Sequence, residues 1–573
     1  MGKKFLALFI SALFALPVVT PAVVTGTDVQ NMINSSYILG LPQVNLPNET
    51  IYVDQTVRIY PGMKNFRLQG GDRTKFVRNT SADIPLFIIG LDATIGYENN
   101  YLNQTYQSFD IDPVQDGATT VTVNTALPLL SGWYVIAGND PVNDVVVHSS
   151  GSPTFNYKRE LVRGTPGTGN QLVLSHPVGR EFENPKLWLV QPDGQPVLNG
   201  VVESITFSNI QFDGRFRSYV GNRVDNTNTK SSRANRVVTA GLARNLVFED
   251  VVIRGFRNSG LSMKLCRSVT VTDSFITDGQ TTTLGYGIEV MASRFVFVRN
   301  TRFSNHRWGV LFNSGSTDCE VTDCFYEDTP GSGFDVSHGS DERRINYIRC
   351  IANTFSIGNP AYRAGVRNAT LLNCSARNSM TLWPNATNIS ISGKYPGQEH
   401  TAPMIQFMTE GGGLGTPQGI IAPVNVYLSG GSCERFEADG NTVQLSSMSG
   451  QQHQIPYIEA VAWTFTNPNP ARGAAFRVTD IAGTGRMKFT NCNFRSTYTY
   501  DAPVILQAGN WDVEFIGCHF TKILQDTPFY QLGLHMKPNS TGTVRFTGWN
   551  TYNGSVMTPA NVWQEGTASI FFP

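Results

Sequence analysis

The sequence predicts an all-β solenoid, a parallel β-helix, on three observations. The first is a repeat between residues 244 and 374. The motif Asn245-Leu246-Val247-Phe248-Glu249-Asp250-Val251 returns as Ser268-Val269-Thr270-Val271-Thr272-Asp273-Ser274 and as Phe295-Val296-Phe297-Val298-Arg299-Asn300-Thr301. It returns again as Cys319-Glu320-Val321-Thr322-Asp323-Cys324 and Ile345-Asn346-Tyr347-Ile348-Arg349-Cys350, with an echo at Leu371-Leu372-Asn373-Cys374. The second is a set of glycine-led segments starting at Gly260, Gly287, Gly309 and Gly333, spaced 27, 22 and 24 residues apart. The third is the period of two inside each unit, which marks strands rather than helices. Self-similarity at roughly 20–30 residues is the mark of a solenoid. A coil cannot bury its apolar side alone, so stability comes from stacking coils at about 4.8 Å. Two short strands per repeat, separated by glycine and polar corners, fit such a coil.

Taken in order, residues 1–22 have the form of a secretory signal: Lys3-Lys4, an apolar run over 5–19, then Thr20-Pro21-Ala22. This predicts a secreted or cell-surface protein starting near Val23. No later apolar run is long enough to span a bilayer, so no stable membrane insertion is expected. Residues 23–92 form an N-terminal cap and the first coils. Thr27-Asp28 can cap a short helix whose apolar face is Val29, Met32 and Ile33, laid over the open end of the first coil. Over 93–198 the repeat is lost, and strands near 120–123, 133–136, 171–174 and 187–190 alternate with glycine turns. This segment is a small β-rich insertion that either covers a coil edge or helps bind carbohydrate. Residues 199–378 are the central coils, interrupted by a polar excursion over 219–236 of the kind that walls a groove. Residues 379–573 hold an irregular stretch followed by C-terminal coils, ending in the apolar Ile570-Phe571-Phe572-Pro573.

Cys324, Cys350 and Cys374 fall at one point of successive units, 26 and 24 residues apart, and Cys492 and Cys518 take that position again. Val251, Ser274 and Thr301 fill it elsewhere. The position is best explained as an inward ladder of small side chains at a tight corner, rather than disulfides or metal ligands.

These repeats resemble the right-handed parallel β-helix proteins of the pectate-lyase-like superfamily: pectinases, polysaccharide lyases, uronan epimerases and phage tailspikes. Residues 46–71, a Leu-Pro start followed by alternating strands and Gly70-Gly71, are similar to the first coil of such proteins. The resemblance implies a right-handed β-helix with a short N-terminal capping helix and a small β-rich insertion. It implies polysaccharide as substrate or ligand, and it does not select a family within the group.

Composition agrees. The 573 residues carry 44 basic and 44 acidic side chains, so there is no electrostatic reason to expect nucleic acid. No cofactor or metal is expected: Cys/His zinc spacing and the aspartate cluster of calcium-dependent pectate lyases are both missing from the sequence. Oligomeric state is not encoded in any of these features.

If the glycine-led strands stack in register, Ser262, Glu289, Leu311 and Asp335 form one outward column. Lys264, Met291, Asn313 and Ser337 form a second. Arg307 and Trp308 precede one strand, His338 follows another, and Arg343 and Arg344 lie in the next loop. Carboxylates suit acid–base work on a glycosidic bond, cations suit uronate groups, and an aromatic face suits sugar stacking. The expected catalytic set is Glu289, Asp335 and His338. The expected substrate-binding set is Lys264, Arg307, Trp308, Asn313, Arg343 and Arg344. Glu289 and Asp335 would lie two coils apart, roughly 10 Å at the backbone, compatible with an inverting rather than a retaining hydrolase. The segment Asp335-Val336-Ser337-His338-Gly339 is similar to Asp/His-Gly segments of β-helix epimerases and tailspike-like proteins. His338 serves there as acid or base, or is a corner histidine bonded to backbone. The expected function is cleavage of polysaccharide, as hydrolase or lyase. The alternative is a non-catalytic glycan-binding or structural surface or virion protein.

Overall fold

The computed structural model describes residues 23–573 apart from 81–83, 92–104, 125–127, 139–144, 147–155, 195–199, 216–235, 281–283, 328–332, 337–340, 359–365, 383–385, 398–404, 409–423, 436–442, 447–454, 469–472, 479–483, 498–500 and 523–531. The signal-like 1–22, the excursion up to residue 235, Ser337 and His338 therefore lie outside the described residues.

The chain is a right-handed parallel β-helix, and each coil has three strands, not two. One coil runs Arg267–Thr272, Phe275–Thr277 and Tyr286–Met291. These pair in parallel with Arg294–Arg299, Arg302–Ser304 and Trp308–Asn313 of the next coil. Like strands stack into three sheets, called here the first, second and third faces. The second-face strand was hidden in the sequence because two or three residues carry too little alternation to read as a period.

Each first-face strand alternates: Arg267–Thr272 buries every second residue, with Val269 and Val271 inside. The corner into the second face is a single left-handed residue. Asp250, Asp273, Asn300, Asp323 and Asn373 take φ of 44–53° there, a conformation that short Asn and Asp side chains tolerate best. Arg349 takes the same conformation at φ 52°, and its guanidinium is anchored on Asp323 at 2.6 Å. The next residue turns inward. Cys324, Cys350 and Cys374 are buried and unbridged. Their thiols donate to the carbonyls of Val298, Val321 and Tyr347 in the preceding coil, at 3.5, 3.2 and 3.4 Å. The cysteine position is thus an inward packing ladder.

Aromatic stacks continue the core toward the C-terminus. Phe465, Phe494 and Phe520 stack at 5.0 and 5.2 Å; Phe489, Phe515 and Phe546 stack at 5.3 Å each, and Phe572 closes the second stack at 4.8 Å. Coils also run through the stretch that looked irregular. Ile389, Val426 and Ile458 are register partners, 37 and 32 residues apart. These coils are longer than those upstream, which takes them out of the sequence period. At the other end, helix Gly26–Ile38 caps the first coil with Val29 and Ile33 buried. Its N-cap is Thr25, two residues earlier than expected, because Thr25 and Asp28 cap each other's backbone N–H reciprocally.

The insertion is a six-stranded antiparallel sheet built from Gln107–Asp110, Pro185–Pro192, Gly132–Gly138, Arg159–Pro166, Gln171–Leu174 and Thr120–Thr122 in that order. It closes into a small barrel through the bridge between Ile111 and Val123. Phe109, Tyr134, Ile136, Val162, Leu172 and Phe182 fill its interior. Its outer residues Trp133, Val135, Leu161 and Trp188 cover Leu242, Leu265 and Ala292 of the solenoid. Those three take positive φ at the corner between third and first faces. Apolar residues sit at that turn because the barrel removes it from water.

Candidate functional site on the third face

Three third-face strands, Ser259–Lys264, Tyr286–Met291 and Trp308–Asn313, begin one residue before a glycine. A Cβ on Gly309 would lie 3.0 Å from the rings of both Phe334 and Tyr326. Glycine there leaves room for the aromatic layer beneath and lets the strand lie flat against it.

Above that layer the expected register is realised. Ser262 pairs with Glu289, Glu289 with Leu311, and Leu311 with Asp335. Lys264, Met291 and Asn313 form the adjacent column. The first column faces away from the apolar core, yet it is not a solvated surface: Glu289 is 5% exposed and Asp335 is 0%. The expected outward row is therefore buried, and at Glu289 the side chains of Arg236, Ser259 and Ser262 close around the carboxylate. Glu289 accepts hydrogen bonds from Ser259 at 2.7 Å, Ser262 at 3.1 Å and Arg236 at 3.3 Å. A carboxylate taken from water requires such partners.

Tyr286, itself buried, reports the electrostatics. Burial pushes its phenol up; Arg307 and Arg236 pull it down, while Glu289 and Asp335 push it further up. These five groups therefore share one environment. Arg307 lies 5.7 Å from the Trp308 ring centroid. Arg307, Trp308, Lys264 and Asn313 are half-buried at the edge of the same face.

Arg343 and Arg344 are elsewhere. They start strand Arg343–Ile348 of the first face and hold the barrel. Arg343, 3% exposed, pairs with Asp341 at 2.5 Å, Asp116 at 3.1 Å and Glu181. Arg344 pairs with Asp318 and with Asp116 at 3.1 Å. Arg343 belongs to a register column with Arg244, Arg267, Arg294, Thr317 and Arg367. Buried Glu160 of the barrel accepts from Arg294 at 2.7 Å and lies 3.7 Å from Arg267. Among the described residues, no cluster of His, Cys, Asp or Glu is placed to hold a metal ion, and no helix is long and apolar enough to cross a membrane.

Sequence reasoning missed Arg236, Ser259 and Tyr286. For two of them a signal was present: Ser259, Tyr286 and Trp308 each precede the strand glycine and are register partners. It also missed that the Glu289 column continues through Ser356, Thr381, Gln406, Gln444, Arg477 and Ile505 to His535 and Trp563. At that end buried His535 bonds Asp501 through Nδ1, lies 3.3 Å from Glu565 through Nε2, and stacks on Trp563 at 4.2 Å.

A family model described as a right-handed beta helix region matches residues 199–376. No curated protein matches the sequence. Among solved structures, the gp54 tailspike of Acinetobacter baumannii bacteriophage AP22, in complex with A. baumannii capsular saccharide, is 12% identical with a TM-score of 0.48, over 93% of this chain and 76% of that one. The gp49 tailspike of Pseudomonas phage LKA1 is 12% identical with a TM-score of 0.46, over 89% and 75%. PfbA, a surface adhesin of Streptococcus pneumoniae, is 10% identical with a TM-score of 0.32, over 96% and 93%. At these identities the likeness is one of fold.

Proposed function

We propose that this β-helix acts on polysaccharide along its third face, cleaving glycosidic bonds with Glu289 and Asp335 at the centre. The observation that supports it is the register: two carboxylates sit in one column, two coil steps apart, with Arg236, Arg307, Tyr286 and Trp308 around them. Two steps are about 10 Å at the backbone, a separation from which side chains converge to the 6.5–9.5 Å of an inverting pair, one acting as acid and one as base. In a lyase, the arginines would neutralise the uronate carboxylate while a base removes the adjacent proton. His338 is proposed as that acid or base, and Lys264 and Asn313, in the column adjacent to Glu289, as substrate-binding residues. Arg343 and Arg344 are engaged by the barrel and have no part in this site.

A second reading is non-catalytic glycan binding, and one observation favours it. Glu289 already accepts three hydrogen bonds and is nearly sealed from solvent, the state of a carboxylate that organises a surface rather than one that exchanges protons.

Incubation with acidic and neutral polysaccharides, following reducing ends and the absorbance of unsaturated uronates, separates hydrolase, lyase and binder. For the catalytic reading, Glu289→Gln and Asp335→Asn each lower turnover by about 10²–10⁴-fold. Full activity in either variant would remove that residue from the mechanism, and binding without turnover across the panel would leave the second reading.

A further inference from the structure

The first face changes character along the solenoid. Upstream, one outward column runs Thr206, Val247, Thr270, Phe297, Glu320 and Asn346, with one charged side chain among the six. Downstream the same column becomes Tyr427, Glu459, Lys488, Glu514 and Arg545. Two residues earlier, Tyr457, Arg486 and Asp512 form a second column beside it. Between the two columns lies an open cleft of about 350 Å³, lined by Tyr457, Arg486, Lys488, Asp512, Glu514 and Arg545. Clefts of roughly 300–1,000 Å³ are the size that takes small ligands.

The lining narrows the ligand. Asp512 is shared by Arg486 at 3.4 Å and Arg545 at 2.5 Å, so planar donors and acceptors alternate along the sheet and are held in place before any ligand arrives. A polyanion would meet Asp512 and Glu514; a polycation would meet Arg486, Lys488 and Arg545. An apolar ligand would cover these charged groups without offering any of them a hydrogen bond. A polyhydroxylated ring satisfies them, because each hydroxyl both donates and accepts. The aromatic element is present too: Tyr427 and Tyr457 pack with centroids 6.3 Å apart, and Tyr427 is 38% exposed. The Tyr457 hydroxyl donates to Glu459 at 3.0 Å. Burial, then Glu459, pushes that phenol up to about 12, so at neutral pH it keeps its proton and its oxygen remains an acceptor.

We infer that this first-face cleft is a saccharide-binding site, separate from the third face, taking a pyranose unit of a neutral or singly charged glycan. It shares its ligand class with the function proposed above and none of its residues. It would hold a polysaccharide chain on a face where no cleavage is proposed.

The test is affinity electrophoresis of the full chain through gels containing dextran, xylan, alginate or polygalacturonate, with turnover measured in parallel. Tyr457→Ala and Arg486→Ala are compared with Glu289→Gln. Arg486 is largely exposed, so its variant folds; Tyr457→Phe keeps the ring as a second control. The expected result is that dextran or xylan, more than the polyanionic alginate and polygalacturonate, retards the wild type and Glu289→Gln alike. Tyr457→Ala and Arg486→Ala should then weaken retardation by about tenfold in Kd, with turnover of short oligosaccharides unchanged. Retardation indifferent to both first-face variants overturns this inference and leaves the third-face function standing. Retardation lost in those variants, with no cleavage of any glycan, upholds it while the catalytic reading falls. A wild type retarded by neither dextran nor xylan overturns it as well.

Discussion

Two buried columns of charged side chains run along this solenoid, and they are used differently. At the corner between third and first faces, Arg267, Arg294 and Arg343 meet Glu160, Asp116 and Glu181 of the barrel. On the third face, Glu289 meets Arg236, Ser259 and Ser262 of the solenoid itself. Both columns arise from the same stacking rule, in which one sequence position recurs every coil. The first joins two modules across a long sequence separation. The second concentrates carboxylates whose partners, among the described residues, come from the solenoid itself. Charge recurring along a solenoid therefore does not by itself mark a ligand groove; what lies over the column decides.

That contrast can be broken, and the largest effect should come at the barrel. Glu160→Ala leaves Arg294 and Arg267 buried without their shared carboxylate, and should cost about 3–5 kcal/mol in denaturant unfolding. It should also raise protease sensitivity in residues 107–192. A cost below about 1 kcal/mol would mean that the junction behaves like an exposed surface pair.

Next in size is the pH dependence of the same junction. Burial pushes the Glu342 carboxyl up to about 8. The folded protein holds a proton there that the unfolded chain releases near 4.5. Its contribution to stability is full below about pH 4.5 and is lost as pH rises toward 8. Glu181 has the opposite sign. Burial works upward, but the hydrogen bond and charge of Arg343 outweigh it and hold the carboxyl down to about 2. Its contribution is full above about pH 4.5 and is lost as pH falls toward 2. Urea unfolding across pH 2–9 should therefore lose its alkaline slope in Glu342→Gln, by on the order of a few kcal/mol, and its acid slope in Glu181→Gln. Identical profiles in all three proteins would contradict both assignments.

The third face should respond more gently. Gly309→Ala drives a methyl against Phe334, Tyr326 and Phe303, and should cost about 1–3 kcal/mol by thermal or chemical unfolding. Glu289→Gln keeps most of its hydrogen-bonding shape and should cost only about 1–2 kcal/mol, less than the loss of Glu160. If Glu289→Gln proves the more destabilising of the two, the third-face column is the structural one and the comparison inverts. The smallest change is Asn313→Ala, half-buried at the edge, with stability within about 0.5 kcal/mol of wild type and any effect confined to glycan binding.

Much of the fold was legible because its signals are local and repeated. The Asp/Asn corner, the inward Cys, Ser, Thr or Val, and the glycine at the start of third-face strands recur often enough to set the register of Ser262, Glu289, Leu311 and Asp335. The three-residue second-face strands and the long coils after residue 379 were not legible, since the first lack a period and the second depart from it. The role of Arg343 and Arg344 was hidden for a different reason. Their partners Asp116 and Glu181 lie more than 160 residues away in sequence, and no periodicity connects a barrel to the coil it rests on.

The amino-acid sequence by itself determined the solenoid, the inward packing ladder and the column that carries Glu289 and Asp335. Each follows from alternation and repeat spacing, which stacking converts directly into position. Tertiary structure alone decided which charged positions are covered. The barrel folds back over the Arg294 and Arg343 column, and Arg236 and Ser259 close over Glu289. Burial is a property of what packs against a residue, and long-range packing leaves no mark in the local pattern of the chain.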